Sequence, residues 1–339
     1  MRDYRDYSLL RHNTFGIDAC CRRFIELSSV AEARRLPELL QPDDRSLLVI
    51  GGGSNLLLTR DFPGTVIRSA ILGMEAATDA DGDTVLLRAG SGETWDDVVQ
   101  FCVEQGWHGT ENLSLIPGDV GATAVQNIGA YGAEASYIIK NVEAVEIATG
   151  RSVTFKAADC GYGYRQSRFK TEWRGRYLIT HVTYRLSRTF MPQLDYGNLR
   201  DVLNQRGIAS PTAQELRQAV IDIRRDKLPD PQVEGNAGSF FMNPVVGADT
   251  YRRLKEHYPQ MPHYTLDDGS EKIPAGWLIE QCGWKGRSLG RAGVHSRQAL
   301  VLVNRGGATG AEIVALCETI RKDVKQKFGI EILPEVNIV

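Results

Sequence analysis

The sequence predicts an α+β fold, and three features support that prediction. Apolar runs at 47–50 and 56–58 flank three successive glycines, and runs of this length are typical of buried strands. The middle of the chain is rich in strand-like segments, such as 177–186. The last third has apolar residues at helical spacing behind Ser/Thr-x-x-Glu capping boxes, as at 309–312.

Length and composition exclude several classes of protein. The chain has 339 residues, enough for two or three domains. Its 40 basic and 42 acidic residues give a net charge of −2 without a basic block, which argues against nucleic acid as a partner. The six cysteines form no C-x-x-C pair and the six histidines are dispersed, so we expect reduced thiols and no metal site. We also expect a cytoplasmic protein without membrane contact, because no apolar stretch could span a bilayer and the first residues lack a signal-peptide core.

In the first half of the chain, the patterns predict two helices among several strands. A capping box at 29–32 begins a helix that Pro37 must break or kink. With strands at 47–50 and 65–67, this helix would form a small αβ unit. A strand at 84–88 precedes a second helix that begins at Thr94. Its predicted buried face consists of Trp95, Val98, Val99 and Cys102, and Gly106 ends it.

The second half of the chain is predicted to hold a hairpin and then mostly helices. The hairpin spans 142–155 with Thr149 and Gly150 in its turn. A capping box at 212–215 opens a helix, and Pro229 and Pro231 then force an extended linker. The elements expected beyond the linker are helices at 251–257, 274–283 and 309–329 and strands at 300–303 and 330–339.

The triple glycine and the two residues behind it suggest a nest for a phosphate or pyrophosphate. Because Gly51, Gly52 and Gly53 carry no Cβ, a ligand can approach their backbone N–H groups closely, and Ser54 and Asn55 extend the run. A tight glycine turn without a ligand is the alternative. The run is neither a dinucleotide fingerprint, which would need a third glycine where Leu56 stands, nor a P-loop.

A second glycine-rich stretch, 114–132, is predicted to be a loop packed against a large, flat ligand. It contains four glycines and several alanines but few charges, whereas an ordinary connecting loop is more polar. Three further segments combine reactive groups with irregular backbone, at 162–165, 235–241 and 333–335. Taken singly, Arg165 could be a surface ion pair, Ser239 a hydroxyl at the start of a strand and Glu335 a solvated terminal carboxylate.

These segments, taken together and in this order, closely resemble the UDP-N-acetylenolpyruvoylglucosamine reductase (MurB) family of peptidoglycan precursor synthesis. The resemblance spans nearly the whole chain. The matching pieces are Asn13-Thr-Phe-Gly16, Gly51-Gly-Gly-Ser-Asn55, Ile116-Pro-Gly118, Gln126-Asn-Ile-Gly129-Ala-Tyr131-Gly132, Tyr162-Gly-Tyr-Arg165, Gly235-Asn-Ala-Gly-Ser-Phe-Phe241, Ala275-Gly-Trp-Leu-Ile279 and Leu333-Pro-Glu335. Tyr196 and Gly197 resemble the branch of the family that has a substrate-covering tyrosine loop.

The resemblance implies a vanillyl-alcohol-oxidase-like (PCMH-type) FAD-binding fold in two subdomains, followed by an α+β substrate domain. The subdomains would be 1–70, joined by the terminal strand 330–339, and 71–212, and the substrate domain 213–329. FAD would be bound noncovalently, because no histidine lies in 51–55 to tether it. The residues that would hold it are Gly51, Gly52, Gly53, Ser54, Asn55, Ile116, Pro117, Gly118, Gly121, Ala122, Val125, Gln126, Asn127, Gly129, Ala130, Tyr131 and Gly132.

The resemblance also implies the reaction, in which NADPH reduces an enolpyruvyl sugar nucleotide through FAD in a ping-pong order, and a monomeric enzyme. Arg165 would face the charge that develops beside the substrate carboxylate. Glu335 would be protonated when substrate binds, and Ser239 would protonate the charged carbon. The residues implied in substrate binding are Tyr164, Tyr196, Lys227, Asn243, Tyr264 and Gln298. Met242 departs from the family, whose members often have lysine there.

Two other functions remain open from the sequence. One is an FAD-dependent oxidase of a hydroxy acid or an alcohol on the same fold, which would not need Ser239. The other is a protein that only stores or senses flavin. Neither would consume NADPH in a manner that depends on the enolpyruvyl substrate.

Overall fold

The computed structural model describes residues 1–42, 44 and 46–339, which form two compact units. The first unit contains Met1–Tyr7, Cys21–Gly52 and Pro63–Arg224, and the second contains Ser8–Cys20, Gly53–Phe62 and Arg225–Val339. The three-part division at 70, 212 and 329 stays a prediction. None of the helices in the described residues has the length and apolar character needed to cross a membrane.

The strands, in chain order, are β1 (Arg2–Ser8), β2 (Cys20–Leu27), β3 (Leu47–Ile50), β4 (Leu56–Leu57), β5 (Phe62–Ser69), β6 (Met74–Thr78), β7 (Thr84–Gly90), β8 (Gly129–Ala130), β9 (Ala133–Glu134), β10 (Ile139–Glu146), β11 (Ser152–Lys156), β12 (Tyr177–Ser187), β13 (Gly235–Asn236), β14 (Val245–Val246), β15 (Tyr264–Thr265), β16 (Glu271–Lys272), β17 (Ser288–Leu289), β18 (Ala292–Val294), β19 (Leu302–Asn304) and β20 (Asn337–Ile338). The α-helices are α1 (Val30–Ala33), α2 (Leu36–Leu39), α3 (Trp95–Glu104), α4 (Val120–Gln126), α5 (Leu199–Gln205), α6 (Ala213–Lys227), α7 (Ala248–His257), α8 (Ala275–Gln281) and α9 (Gly310–Phe328). Short 3₁₀ turns lie at Leu10–His12, Glu111–Leu113, Ala135–Tyr137, Ala157–Cys160 and Arg168–Lys170.

The first unit is built on two sheets. One has the strand order β1-β2-β5-β3, with β3 and β5 parallel and Leu47 opposite Thr65. The other has the order β11-β10-β12-β7-β6, and its paired strands are antiparallel. The predicted αβ unit and the predicted hairpin, formed by β10 and β11, are therefore confirmed.

The predicted helices of the first unit are confirmed, and particular residues account for where they begin and end. The four residues predicted for the inner face of α3 are all buried, and Gly106 adopts a left-handed φ of 68° behind the helix. Ser29 caps α1 by accepting a hydrogen bond from the Glu32 N–H. Proline disrupts a helix except in its first turn, and Pro37 accordingly separates α1 from α2 by standing in the first turn of α2.

The prediction that 114–132 is a loop throughout is wrong, because the stretch contains the helix α4. Its sequence, Val-Gly-Ala-Thr-Ala-Val-Gln, has little intrinsic helix propensity. Tertiary packing supplies the stability instead: Val120, Thr123 and Ala124 are buried, and the Thr123 hydroxyl lies 2.6 Å from the Tyr184 hydroxyl on β12.

The second unit contains a four-stranded sheet of order β13-β19-β18-β17, a three-stranded sheet of order β14-β16-β15, and a parallel pair of β20 with β4. The long helix α9 is confirmed with its capping box at Thr309 and Glu312 and its stop at Gly329. The strand predicted at 300–303 lies at Leu302–Asn304, because a turn closed by Val301 N–H and the Gln298 carbonyl precedes it. The terminal strand predicted at 330–339 is likewise shortened to β20.

A buried ion cluster in the first unit yields a stability prediction. Arg23 contacts Asp3 and Asp44 at 2.6 Å each, and Asp44 also accepts hydrogen bonds from the Thr65 hydroxyl and the Gln41 N–H. Burial opposes ionisation of Asp44, but these donors together hold its pKa below the usual value. Since a lowered pKa stabilises the fold above the unfolded-state pKa, this contribution is lost as the pH falls below about 4.

We expect Asp44→Ala to lower the free energy of unfolding by about 3 kcal/mol at neutral pH, because it leaves a buried guanidinium undercompensated. Denaturant unfolding measured over a range of pH tests this, and the variant should lose less stability on acidification than the parent protein. Glu38→Ala, which removes the exposed ion pair with Arg35, is the matched control and should change little. Equal effects of the two substitutions would contradict the prediction.

Candidate active site

The two predicted flavin-binding stretches contact each other within the first unit. A Cβ at Gly52 would lie 3.0 Å from Asp119 Oδ1 and 3.3 Å from Gly118 Cα, so glycine is the residue that fits there. Gly118 itself has a φ of 120°, and its carbonyl accepts a hydrogen bond from the Trp95 N–H at 3.0 Å. The structure therefore brings together the glycine run and the start of the second stretch, as the sequence predicts for one ligand site.

The start of the second stretch is fixed to the segment that precedes α3. The Gly121 N–H donates to the Ser91 carbonyl at 2.9 Å, and a Cβ at Gly121 would lie 3.0 Å from Ser91 Cβ. Several neighbours are part of the protein interior: Ile116 and Val125 pack against the core, and Gln126 is buried. Ala122 and Ala130 are half-buried, and Pro117 is exposed.

The second half of the glycine run belongs to the second unit. Gly53 has a φ of 69°, and its carbonyl accepts a hydrogen bond from the Thr14 N–H at 3.2 Å. The Asn55 carbonyl accepts from Asn337, at 3.1 Å from the backbone N–H and 3.0 Å from the side-chain amide, and Ser54 between them is half-buried. These contacts fix the run to the end of the chain.

The glycine run fits a pyrophosphate by a further observation. Among the described residues, the N–H groups of Gly52 and Gly53 donate no hydrogen bond. Paired backbone donors are the rule inside proteins, and successive N–H groups without protein acceptors form the kind of concavity that binds anions. The residues present therefore suit the phosphates of a nucleotide cofactor.

The end of the second stretch has strained backbone held by side chains. Asn127 has a φ of 46° and its buried side chain donates to Glu134 Oε2 at 2.7 Å and to the Gly163 carbonyl at 2.8 Å. Tyr131 has a φ of 48°, and its carbonyl accepts from the Asn112 amide at 2.9 Å. Asn127 is the C-cap of α4, where asparagine commonly adopts left-handed backbone, whereas the same conformation is unfavourable for the bulky Tyr131 and is typical of functional sites.

Arg165 lies against this strained segment. It occupies a tight turn closed by the two backbone hydrogen bonds between Gly163 and Gln166, and its own φ is 55°. Its guanidinium donates to the Gly129 carbonyl and, at 3.4 Å, to the Asn127 carbonyl, and it lies 5.1 Å from the Tyr164 ring centroid. The first unit thus places the predicted catalytic arginine beside residues predicted to bind the flavin ring.

Ser239 and Glu335 belong to the second unit, on segments that pair with each other. The Glu335 N–H donates to the Phe240 carbonyl at 2.8 Å, and the Met242 N–H donates to the Leu333 carbonyl at 2.9 Å. Phe240 is completely buried, which anchors the segment. Ser239 and Glu335 are both half-buried. The structure therefore brings two of the three predicted catalytic residues onto adjacent segments, while Arg165 is part of the first unit.

The predicted substrate-binding residues are distributed over both units. In the first unit, Tyr164 and Tyr196 are 41% and 40% exposed, and the Tyr196 Cβ would lie 3.2 Å from a Cβ at Gly132. In the second unit, the Asn243 side chain accepts from the Ala275 N–H at 2.9 Å, and Gln298 accepts from the Leu300 N–H at 3.2 Å. Both amides retain further hydrogen-bonding capacity.

Two further residues of the substrate set, Lys227 and Tyr264, belong to the second unit. Lys227 is the last residue of α6, and Tyr264 lies opposite Lys272 in the three-stranded sheet. The Lys272 ammonium is 5.8 Å from the centroid of the Tyr264 ring. This pairing adds a cation beside Tyr264 that the sequence did not reveal.

Asp119 lies beside the glycine run, and the sequence did not predict this position for its side chain. A Cβ at Gly52 would lie 3.0 Å from its Oδ1, and its Oδ2 lies 3.5 Å from the Arg68 guanidinium. Burial raises the pKa of Asp119, and Arg68 offsets this in part. The signal in the sequence was a single charged residue within an otherwise uncharged run of glycine and apolar residues.

Comparisons with known proteins agree with this architecture. The profile of an FAD binding domain matches residues 22–156, and that of the UDP-N-acetylenolpyruvoylglucosamine reductase C-terminal domain matches 230–339. UDP-N-acetylenolpyruvoylglucosamine reductase from Bacteroides fragilis is 51% identical over 98% of this chain and 99% of its own, and that from Burkholderia ambifaria is 49% identical over 97% and 95%. The crystal structure of the reductase from Thermus caldophilus superposes with a TM-score of 0.68 at 22% identity, covering 100% of this chain and 99% of that chain, and so shares its fold.

The fold and the relatives therefore define an FAD-dependent oxidoreductase with an α+β architecture, as the sequence predicted. The chain belongs to the UDP-N-acetylenolpyruvoylglucosamine reductase family. The alternative of an FAD oxidase that acts on a hydroxy acid or an alcohol is not favoured.

Proposed function

We propose that the protein reduces UDP-N-acetylglucosamine enolpyruvate to UDP-N-acetylmuramate with NADPH, in the cytoplasmic synthesis of peptidoglycan precursors. The observation that carries this proposal is the similarity to enzymes of that name, at about half of all positions and over almost the whole chain. NADPH and the sugar nucleotide would use one pocket in turn, since the sequence contains no separate nicotinamide fingerprint.

The glycine run and the 118–132 stretch would hold FAD noncovalently. When bound, FAD supplies the hydride for the enol ether after receiving it from NADPH. The N–H groups of Gly52 and Gly53 are suited to the pyrophosphate, because their hydrogen-bonding capacity is unused by described residues. Gly129, Tyr131 and Gly132 would lie along the ring.

Arg165 would stabilise the negative charge that spreads into the substrate carboxylate. A guanidinium stays protonated and binds a carboxylate through two parallel hydrogen bonds. Its fixed position against the carbonyls of Gly129 and Asn127 supports this role, because a preorganised donor does not have to reorient during the reaction.

Ser239 would donate the proton from Oγ to the carbon that carries the charge, and water or neighbouring groups would restore that proton. A serine hydroxyl is a weak acid, so the proton must be transferred within hydrogen-bond reach. The proposal is supported by the hydrogen bonds that fix the segment of Ser239. The Phe240 N–H donates to the Leu300 carbonyl at 2.8 Å, and the Phe240 carbonyl accepts from the Glu335 N–H. Glu335, on that paired segment, would face the substrate carboxylate and the same carbon.

The remaining residues would bind the rest of the sugar nucleotide. Lys227 and Asn243 would contact phosphate or carboxylate oxygens, and Tyr264 would cover the diphosphate. The cation of Lys272 over the Tyr264 ring supports a site for phosphate there. Tyr164, Tyr196 and Gln298 complete the proposed set.

The direct test is NADPH consumption by purified protein reconstituted with FAD. We expect oxidation of NADPH to depend on UDP-N-acetylglucosamine enolpyruvate and to yield UDP-N-acetylmuramate in equal amount. Protein that oxidises a hydroxy acid or an alcohol at the expense of oxygen, and ignores the sugar nucleotide, would overturn the proposal in favour of an oxidase. Protein that binds FAD but turns over neither substrate would indicate a flavin store or sensor.

A further inference from the structure

The carboxyl group of Asp119 lies directly against the backbone of the glycine run. A Cβ at Gly52 would lie 3.0 Å from Oδ1, and one at Gly51 would lie 3.5 Å from Oδ2. Asp119 immediately precedes α4, yet its side chain makes no capping hydrogen bond to that helix. The carboxyl group therefore lies beside the backbone of Gly51 and Gly52 and is not used to cap the helix.

The charge of this carboxyl group is only partly compensated. Asp119 is 8% exposed, and Arg68 Nη2 lies 3.5 Å from its Oδ2. The same guanidinium makes a closer contact, 2.8 Å, with Glu26 Oε2, and Glu26 in turn lies 3.3 Å from Arg2. Glu93, on the segment packed against Asp119, accepts a hydrogen bond from the Gly73 N–H at 2.6 Å. Arg68 thus contacts two carboxylates, and its contact with Asp119 is longer than its contact with Glu26.

An ionised carboxylate in this position would oppose the binding of a pyrophosphate. Two like charges that share a partly buried site raise each other's free energy, and the usual response is that one of them takes up a proton. The pyrophosphate of FAD keeps its charge at neutral pH, so Asp119 is the group that can change. Burial already raises the pKa of Asp119 in the protein without ligand.

We propose that Asp119 is a residue of the flavin site and that FAD binds with the uptake of one proton by its carboxyl group. The proton comes from solvent and forms one O–H bond on Asp119, and no bond of FAD forms or breaks. This inference rests on the proposed function, in which the glycine run receives the pyrophosphate. It adds Asp119 to the proposed flavin site. Once protonated, its carboxyl group no longer repels the pyrophosphate and can donate a hydrogen bond.

The proposal predicts that FAD affinity falls as the pH rises. Between the pKa of Asp119 in the free protein and its higher pKa in the complex, the dissociation constant should increase about tenfold per pH unit. Asp119→Asn has nearly the same shape and carries no charge. We therefore expect the variant to bind FAD more tightly than the parent protein at about pH 8, with little change down to about pH 5.5.

The experiment is a titration of protein freed of FAD, followed by flavin fluorescence at several pH values, with the parent protein, Asp119→Asn and a control. Asp97→Asn is the matched control, because it removes an exposed carboxylate from the neighbouring helix α3. Calorimetry of the parent protein in two buffers of different ionisation enthalpy measures proton uptake directly and requires no variant.

Proton uptake close to one, together with a flat and tighter profile for Asp119→Asn only, supports the proposal. Affinity of the parent protein that does not change with pH, or a parallel loss of affinity at every pH in Asp119→Asn, overturns it while leaving the proposed function intact. An equal effect of Asp97→Asn overturns it as well, since net charge would then be the cause. A protein that binds no FAD at any pH overturns both this inference and the proposed function.

Discussion

Ser239→Ala is expected to slow reduction of the enolpyruvyl substrate severely while leaving reduction of the flavin by NADPH unchanged. The substitution removes the hydroxyl that would protonate the charged carbon, and loss of a positioned proton donor costs about 10²–10⁴-fold in rate. Reduction of the flavin by NADPH does not involve the enolpyruvyl carbon or its proton. The visible flavin absorbance should therefore be lost at the parent rate when the variant is mixed with NADPH. Stopped-flow absorbance under anaerobic conditions measures the two half-reactions separately.

Two variants control this result. Ser239→Cys retains an ionisable proton and should recover part of the rate of the second half-reaction. Ser270→Ala removes a serine hydroxyl that contacts only the neighbouring Asp268 among the hydrogen bonds of the described residues, and it should behave as the parent. Equal slowing of both half-reactions by Ser239→Ala would assign Ser239 a structural role and would refute its role as proton donor.

Gly53→Ala is expected to lower the free energy of unfolding by at least about 4 kcal/mol and to prevent FAD binding. A Cβ at this position would lie 1.9 Å from the His12 carbonyl oxygen and 2.9 Å from Asn13 Cα, and all of these contacts are with backbone. The φ of 69° adds the ordinary cost of left-handed backbone for a residue with a Cβ. The main chain would have to move, and with it the N–H groups proposed for the pyrophosphate.

Gly16→Ala separates the steric effect from the conformational one. Gly16 has nearly the same φ, 64°, but a Cβ there would meet nothing within 4 Å. We expect this control to cost about 1–2 kcal/mol and to leave FAD affinity unchanged. Denaturant unfolding and FAD titration of both variants provide the comparison, and similar losses in the two would contradict the steric explanation.

Local signals in the sequence predicted many elements because the residues that cause them are neighbours in the chain. The capping box at Thr309 and the glycine at 329 fix both ends of α9, and the apolar spacing between them fixes its buried face. In the same way, Thr94 and Gly106 bracket α3. The ends of these helices are set by contacts within a few residues, which is the range that a sequence pattern can report.

Elements that depend on distant partners were not predictable in this way. The helix α4 contains Gly, Thr and two Val among its seven residues and is stabilised by its packing on β12, more than fifty residues further along the chain. The strand β1 consists largely of exposed charged and tyrosine residues, and the strand exists because β2 lies beside it. The terminal strand was predicted too long, since the segment before β20 bonds to Phe240 and Met242 and continues no sheet of its own.

The candidate site followed a similar division. Family motifs predict Arg165, Ser239 and Glu335 as catalytic residues because the motifs that contain them occur in the family's order along the chain. In the structure, the segments of Ser239 and Glu335 pair with each other. Asp119 was missed because its importance depends on where its carboxyl group lies relative to Gly51 and Gly52. A single aspartate in a loop carries no such information in the sequence itself.

Transfer of hydride from the flavin to the sugar nucleotide is tested most directly by an anaerobic titration of the NADPH-reduced protein with UDP-N-acetylglucosamine enolpyruvate. We expect one equivalent of the sugar nucleotide to restore the absorbance of the oxidised flavin, and mass spectrometry to find UDP-N-acetylmuramate. A flavin that remains reduced in the presence of excess sugar nucleotide, and regains its absorbance only when oxygen is admitted, would rule out the proposed reaction.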